Sequence, residues 1–172
     1  MAVEVRSWTA AEARARIEEL IALLEDSVAG GASVGFLPPL ERLEAREYWR
    51  GALAEIAAGH RLLLAALDEG ALAGSVQLAL ESRPNGNHRA EVMKLMVLAG
   101  ARRRGIGRAL MRAAEHEARR AGRSLLVLDT RRGDDAGRLY RNLGWIEAGV
   151  IPRYARGASG TLDDTVFFYR EI

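Results

Sequence analysis

The run Arg102-Arg103-Arg104-Gly105-Ile106-Gly107-Arg108 sits between an apolar segment, Val92 to Leu98, and a helical pattern. Glycines at such a junction imply a tight turn into a helix N-terminus. The first N–H groups of a helix have no intrahelical acceptor, and the helix dipole adds positive potential, so a start of this kind holds an anion, phosphate above all. Spacing limits which phosphate. A Walker loop requires a lysine after its second glycine, and Gly107 is followed by Arg108. A dinucleotide fingerprint requires a third glycine where Leu110 stands. The pattern met in full is Arg/Gln-x-x-Gly-x-Gly/Ala, by Arg102, Gly105 and Gly107. The competing reading is a helix start with no ligand. Glycine there costs up to ~1 kcal/mol relative to alanine, and packing explains two of them beside three arginines poorly. Arg102, Arg103, Arg104 and Arg108 therefore read as phosphate contacts, through backbone N–H groups as much as side chains. Arg112, Arg119, Arg120 and Arg123 read as a solvated helix face.

The elements that must position this loop follow from periodicity. Ala2 to Trp8 alternates as a strand. Thr9 with Glu12 forms a capping box for a helix that carries Leu20, Ile21, Leu23 and Leu24 and fades near Val28 to Gly31. Gly30 to Pro39 is a loop by its glycines and prolines. A second helix spans Leu40 to Ala58, with Leu43, Trp49, Leu53 and Ile56 on its apolar side. Arg61 to Leu67, Ala71 to Leu80 and Ala90 to Leu98 form an antiparallel meander around the turns Asp68-Glu69-Gly70 and Pro84-Asn85-Gly86-Asn87. The helix after Gly105 turns Ile106, Leu110, Ala113, Ala114 and Ala118 inward. Ser124 to Asp129 is an apolar strand, expected to be buried on both faces and parallel to a neighbour. A helix from Asp134 or Asp135 to Leu143 follows, then strands Trp145 to Ile151 and Val166 to Arg170 around a loop. The order β-α-α-β-β-β-α-β-α-β-β implies a mixed sheet with helices on its faces, α+β in class.

Composition narrows the function classes. A length of 172 residues fits one domain, residues 1–172, with a substantial core. There is no cysteine, which excludes disulfides, thiolate metal sites and a cysteine nucleophile. His60, His88 and His116 are scattered, so no metal is expected. A net charge of +2 is too small for a general nucleic-acid surface. No apolar run approaches the ~18–20 residues of a membrane span, and Met1 to Trp8 has no signal-peptide core, so a soluble cytoplasmic protein is expected.

The glycine loop, its strand and helix, and Leu139-Tyr140-x-x-x-Gly144-Trp145 downstream resemble the GNAT family of N-acetyltransferases, whose order of elements is also the one above. The resemblance covers nearly the whole chain. It implies an acyl-CoA N-acyltransferase fold with a mostly antiparallel sheet, acetyl-CoA as cosubstrate, and the pyrophosphate on Arg102 to Arg108, Gly105, Ile106 and Gly107 included. It implies further that Leu95, Met96 and Val97 pair their backbone with the pantetheine arm. Within the family, Gly30 to Phe36, Pro84-Asn85-Gly86 and Arg89 to Leu98 look like the tabtoxin-resistance branch, which acetylates the amino group of an amino-acid-like β-lactam toxin. The chain departs from the common family pattern at Gly133, where many relatives carry asparagine.

Acetyl transfer to an amine requires a neutral amine, a donor for the oxyanion and a proton for the leaving thiolate. Tyr140, at the position of the family's catalytic tyrosine, is the general-acid candidate, since a phenol with a pKa of about 10 is protonated at neutral pH. The alternative is a packing tyrosine at a helix–sheet boundary. Asp129 is placed to bind or deprotonate the substrate ammonium, or else to cap the turn Thr130 to Gly133. Glu91 is the other carboxylate candidate, as base or amine partner, against an exposed strand-end glutamate. By the family's architecture, Ser33 and Phe36 are acceptor-contact candidates. The expected activity is direct acetyl transfer to a small-molecule primary amine, with no nucleic acid or membrane partner and a homodimer left open. A protein N-terminus or polyamine is the alternative acceptor. A non-catalytic acetyl-CoA sensor and an RNA-binding module are the readings from other classes; the latter is disfavoured because the Gly105–Gly122 helix has no aromatic residue.

Overall fold

A computed structural model describes residues 3–172; Ala2, the first residue of the expected initial strand, lies outside them. The strand β1 (Glu4–Trp8) leads into α1 (Ala10–Ala15) through the capping box: Glu12 N–H donates to Thr9 Oγ1 at 3.2 Å and Thr9 N–H to Glu12 Oε2 at 2.8 Å. The long first helix is broken at Arg16 (φ −116°, ψ 29°), and α2 runs over Ile17–Ala29. Arg16 is held at this break by Glu19 and by the Gly70 carbonyl at 2.8 Å, with its guanidinium 5.0 Å over the Trp8 ring.

The next helix, α3, spans Arg42–Ala57 and buries Ala45, Trp49, Ala52 and Leu53, not Leu43, which is 70% exposed. Six residues before Trp49 is about 120° around the helix, whereas 45, 52 and 53 fall at the i±3 and i±4 positions. Trp49 also donates its indole N–H to the Leu20 carbonyl at 2.9 Å, pinning α3 to α2.

The meander is β2 (Arg61–Asp68), β3 (Ala71–Leu80) and β4 (Arg89–Val97). Its first turn places Glu69 and Gly70 at φ 52° and 84°, both left-handed, as a type I′ hairpin requires. A one-turn 3₁₀ helix, Ala99–Ala101, precedes α4 (Ile106–Arg120); β5 (Leu125–Arg131), α5 (Asp135–Asn142), β6 (Ile146–Arg156) and β7 (Leu162–Glu171) complete the chain. The seven strands lie in the order β1-β2-β3-β4-β5-β7-β6, antiparallel except for β4 beside β5. The fold is thus the expected α+β arrangement.

Two strands differ from expectation. Burial along β5 alternates instead of covering both faces: Leu126, Leu128 and Thr130 are buried while Asp129 is open. Pro152 lies inside β6, not in a loop. β6 is the sheet edge, its register shifts between Ile151 and Ala155, and Arg153 (φ 55°) gives its N–H to Asp164 at 3.1 Å. Proline is tolerated at such an edge irregularity, where the ladder bond is already lost.

Residues of β2 alternate between two cores. Leu64 and Ala66 join Ile106, Leu110 and Ala114 of α4 on one face, and Leu63, Ala65 and Leu67 join α1 to α3 on the other. The feature that makes room for a site lies in β4. It pairs with β5 only from Arg89 to Glu91, after which the two strands separate. Opposite β3, Ser75 faces Met96 but Gln77 faces Met93, so Lys94 and Leu95 form a bulge opposite Val76, with Lys94 at φ 53°. A bulge bends its strand, and this one accompanies the separation of β4 from β5.

Candidate active site

The separated strands open a cleft of about 900 Å³, within the range of small-molecule and cofactor sites. Its floor is β4 from Glu91 to Val97; the start of α4 stands on one side, Asp129 and Tyr140 on another, and the Gly30–Gly35 loop on a third. A smaller cavity of about 240 Å³ adjoins it between that loop, which contributes Ser33 and Phe36, and the β6–β7 end.

The phosphate-type loop has the local structure that its residue types dictate. Arg103 (φ 61°) and Gly105 (φ 82°) are both left-handed, and Gly105 is the N-cap of α4. Among the described residues no side chain caps this helix, and its first turn has no acidic residue. The first helical bond runs from Ala109 N–H to the Gly105 carbonyl at 3.0 Å, so the N–H groups of Ile106, Gly107 and Arg108 are left for a ligand. The two glycines have different reasons. Gly105 supplies a left-handed conformation, whereas a Cβ at Gly107 would lie 3.3 Å from Leu139 of α5. Gly133 also has a conformational reason: at φ 88° it makes the left-handed turn from β5 into α5.

The arginines of the loop separate by environment. Arg103 and Arg108 line the cleft and are exposed. Arg102 lines it too, with Nε donating to the Val97 carbonyl at 3.1 Å and its guanidinium against Gly30. Arg104 is not brought to the cleft; it pairs with Asp68 of the β2–β3 turn at 2.7 Å. Ser27 of α2 is a cleft residue that the sequence did not flag, and its buried hydroxyl has no partner among the described residues. Free helix N–H groups, three arginines and an orphaned hydroxyl form a donor set suited to a long phosphorylated ligand with polar groups along its arm.

Tyr140 packs edge-on against Phe168 with ring centroids 5.6 Å apart and lies 6.1 Å from Trp145, so it belongs to the core and to the cleft wall at once. Its hydroxyl makes no hydrogen bond among the described residues. Burial, and then the negative charges of Asp129 and Asp134, push the phenol well above its usual range, so it keeps its proton.

Asp129 does not end β5, since Thr130 and Arg131 continue the strand, and its carboxylate caps no turn. It faces the cleft together with Glu91. Solvent reaches both carboxylates, but protein encloses their other sides. This enclosure raises both pKa values above the ordinary carboxylate range; Asp129 raises Glu91 further, and Lys94 opposes both shifts. A carboxylate whose pKa is raised is a stronger base than an ordinary one and can take a proton from an ammonium group and pass it on.

Lys94 is the residue that sequence reasoning passed over. It is half-buried in the cleft, and its ammonium lies 5.3 Å from the Tyr48 ring centre and 5.8 Å from that of Phe36. Enclosure and Arg61 lower its pKa, and Glu91 and Asp129 act the other way. The available signal was its uniqueness as the only lysine. Arg131 was also missed: it bonds Asp134 at 2.9 Å and the Gly31 carbonyl at 3.1 Å, tying the glycine loop to β5 and α5. Among the described residues no group of His, Asp and Glu forms a metal site, and no helix is long and apolar enough to cross a membrane.

Comparison with known proteins finds similarity to acetyltransferases. An N-acetyltransferase from the hisH–hisA intergenic region of Azospirillum brasilense, itself uncharacterised, is 33% identical over 117 residues, 67% of this chain and 68% of that one. Ribosomal-protein-alanine N-acetyltransferase from Brucella melitensis superposes with a TM-score of 0.79 at 25% identity over 98% of this chain and 99% of that chain. The fold is also that of yncA from Salmonella typhimurium, solved with its cofactor acetyl-CoA (TM-score 0.78, 19% identity, 99% and 94% coverage). The Acetyltransferase (GNAT) family pattern matches residues 32–145. With that match spanning the loop, the cleft floor and Tyr140, the chain belongs to the GNAT family of acetyltransferases.

Proposed function

We propose that the enzyme transfers an acetyl group from acetyl-CoA directly to the primary amine of a small amino-acid-like molecule, a β-lactam toxin being one such acceptor. The observation that carries this reading is the opening between β4 and β5, which sets an uncapped helix N-terminus, a protonated tyrosine and a carboxylate pair around one cleft. Bound acetyl-CoA supplies the activated acyl thioester. Arg102, Arg103 and Arg108, with the N–H groups at Gly105, Ile106 and Gly107, would hold its pyrophosphate, and Leu95 to Val97 its arm. Arg104 is engaged with Asp68 and contributes at most its backbone.

The chain's own groups then divide the proton work. Glu91 and Asp129 bind the acceptor ammonium and take its proton, which makes the nitrogen nucleophilic. Tyr140 holds a proton at its hydroxyl, ready for the leaving sulfur, and burial keeps the phenol protonated before the transfer. Ser33 and Phe36 shape the acceptor end beside the smaller cavity. A protein amine is the second reading, favoured by the continuation of the cleft into that cavity and by the name of the Brucella relative.

The test is thiol release from acetyl-CoA across amino acids, their analogues, polyamines and short peptides, with thermal stabilisation by acetyl-CoA measured alongside. Turnover on small amino-acid-like amines is expected. Absence of stabilisation at saturating acetyl-CoA would overturn the cofactor assignment, and stabilisation without turnover on any amine would leave a sensor in place of an enzyme.

A further inference from the structure

The ammonium of Lys94 makes no hydrogen bond or ion pair among the described residues, although it is half-buried on the wall of the cleft. Two aromatic rings lie beside it, at 5.3 Å and 5.8 Å, and they are themselves packed edge-to-face at 5.4 Å. Aromatic faces attract a cation but accept none of its three N–H bonds, and partly buried donors without acceptors are costly. The neighbouring polar groups are committed elsewhere. Tyr48 donates its hydroxyl to Gln77 Oε1 at 3.0 Å, and Arg61 donates to the same oxygen at 2.9 Å. The carboxylates facing Lys94 are Glu91 and Asp129, neither within ion-pair distance.

Space at this point suits a compact cation. Gly35 (φ 87°) comes so close that a Cβ there would stand 3.4 Å from Lys94 Nζ. The other 24 basic residues of Lys and Arg type are all arginine. A planar guanidinium would crowd the Gly35 loop, whereas an ammonium is a point charge that fits beneath it.

We propose that Lys94 is the anion subsite of the acceptor pocket: it holds the carboxylate of a zwitterionic acceptor whose ammonium is held by Glu91 and Asp129. This deepens the reading of the cleft as an N-acetyltransferase site and rests on it. Among the described residues, Lys94 is an unpaired cation facing Glu91 and Asp129, which matches the charge pattern of an amino acid. A simple monoamine leaves Lys94 unanswered, and a dianion meets Glu91 and Asp129.

The test compares α-amino acids with their own carboxamides, which keep the amine and side chain but lose the anion. Steady-state kinetics are measured for the wild type, Lys94→Met and Lys94→Arg, each first verified as folded by its stabilisation with acetyl-CoA. The wild type is expected to prefer acid over amide by tenfold or more in kcat/KM. Lys94→Met loses that preference, mainly as a higher KM for the acid, and Lys94→Arg keeps part of it. The proposal is overturned if acid and amide are equally good for the wild type, if neither is turned over, or if the preference survives in Lys94→Met. In the first and third cases turnover itself persists, so the transferase reading stands. Loss of acetyl-CoA binding in the wild type would instead bring down that underlying reading.

Discussion

Replacing Gly107 by aspartate separates the stability of the α4 start from its ligand binding, because the first is nearly unchanged while the second is lost. The first turn of α4 has no acidic residue and no side-chain cap. A carboxylate there interacts favourably with the helix dipole, worth about 0.3–1 kcal/mol. Against this, the new Cβ would lie 3.3 Å from Leu139 Cδ2, a flexible end that must yield by a few tenths of an ångström. The two nearly offset, so the melting temperature without ligand should stay within about 2–4 °C of wild type. Cofactor binding has no such compensation. A carboxylate about 5 Å from a phosphate charge, at an effective dielectric constant of about 20–40, costs about 2–3 kcal/mol. That is about a 30- to 150-fold weaker acetyl-CoA affinity. Calorimetric titration of wild type, Gly107→Ala and Gly107→Asp gives the comparison, the alanine variant isolating the steric part. The loss should shrink as salt is raised. An aspartate variant that melts normally and binds acetyl-CoA as tightly as the alanine variant would refute the placement of the pyrophosphate at this helix start.

Tyr140→Phe keeps the ring against Phe168 and removes a hydroxyl without a hydrogen bond among the described residues, so stability should change little while kcat falls about 10²- to 10⁴-fold; an equal loss in acetyl-CoA affinity would make the residue structural. Glu91 and Asp129 have raised pKa values in the folded state, so their contribution to stability is present below the ordinary carboxylate range and is lost as pH rises through the raised values. Asp129→Asn should therefore melt higher than wild type at pH 7–8 with a gain that fades toward pH 4, and calorimetry across that range measures it. The same ionisations should give wild-type kcat/KM a rising limb above the usual carboxylate range, and this limb should move in Glu91→Gln; an identical pH profile in that variant would exclude Glu91 from the proton path.

Much of the helix-start loop was legible in the sequence because its chemistry is local. A left-handed Gly105 and free N–H groups at Ile106 to Arg108 depend on no distant residue. The hairpin at Glu69-Gly70 and the capping box at Thr9 and Glu12 are legible for the same reason. Arg102, Arg103 and Arg104 look equivalent as a run, yet Asp68, more than thirty residues earlier, takes Arg104 out of the cleft. Lys94 was unreadable because its surroundings come from Phe36, Tyr48 and Asp129, which only the tertiary fold brings together. Arg131 likewise depends on Gly31, one hundred residues away. The apolar composition of β5 concealed its open face, because apolar side chains describe a strand's preference and not whether its neighbour stays alongside.

The extra residue in β4 also settles a question of parity. In an uninterrupted strand Glu91 and Lys94 stand an odd number of places apart and project from opposite faces of the sheet. Val92 joins the core around α4, which puts Glu91 on the other face, and Lys94 meets Phe36 and Tyr48, which pack on the core beneath α1 to α3. Met96 joins that second core although Val92, an even number of places before it, joins the first. One inserted residue has therefore turned over the end of the strand and brought a carboxylate and an ammonium to the same side. The count of residues in β4 is then as much a part of the site as their identities: deleting Leu95 would restore strict alternation with Glu91 and Met96 on the face they hold now, and would turn Lys94 alone to the opposite face, without altering a single charged group.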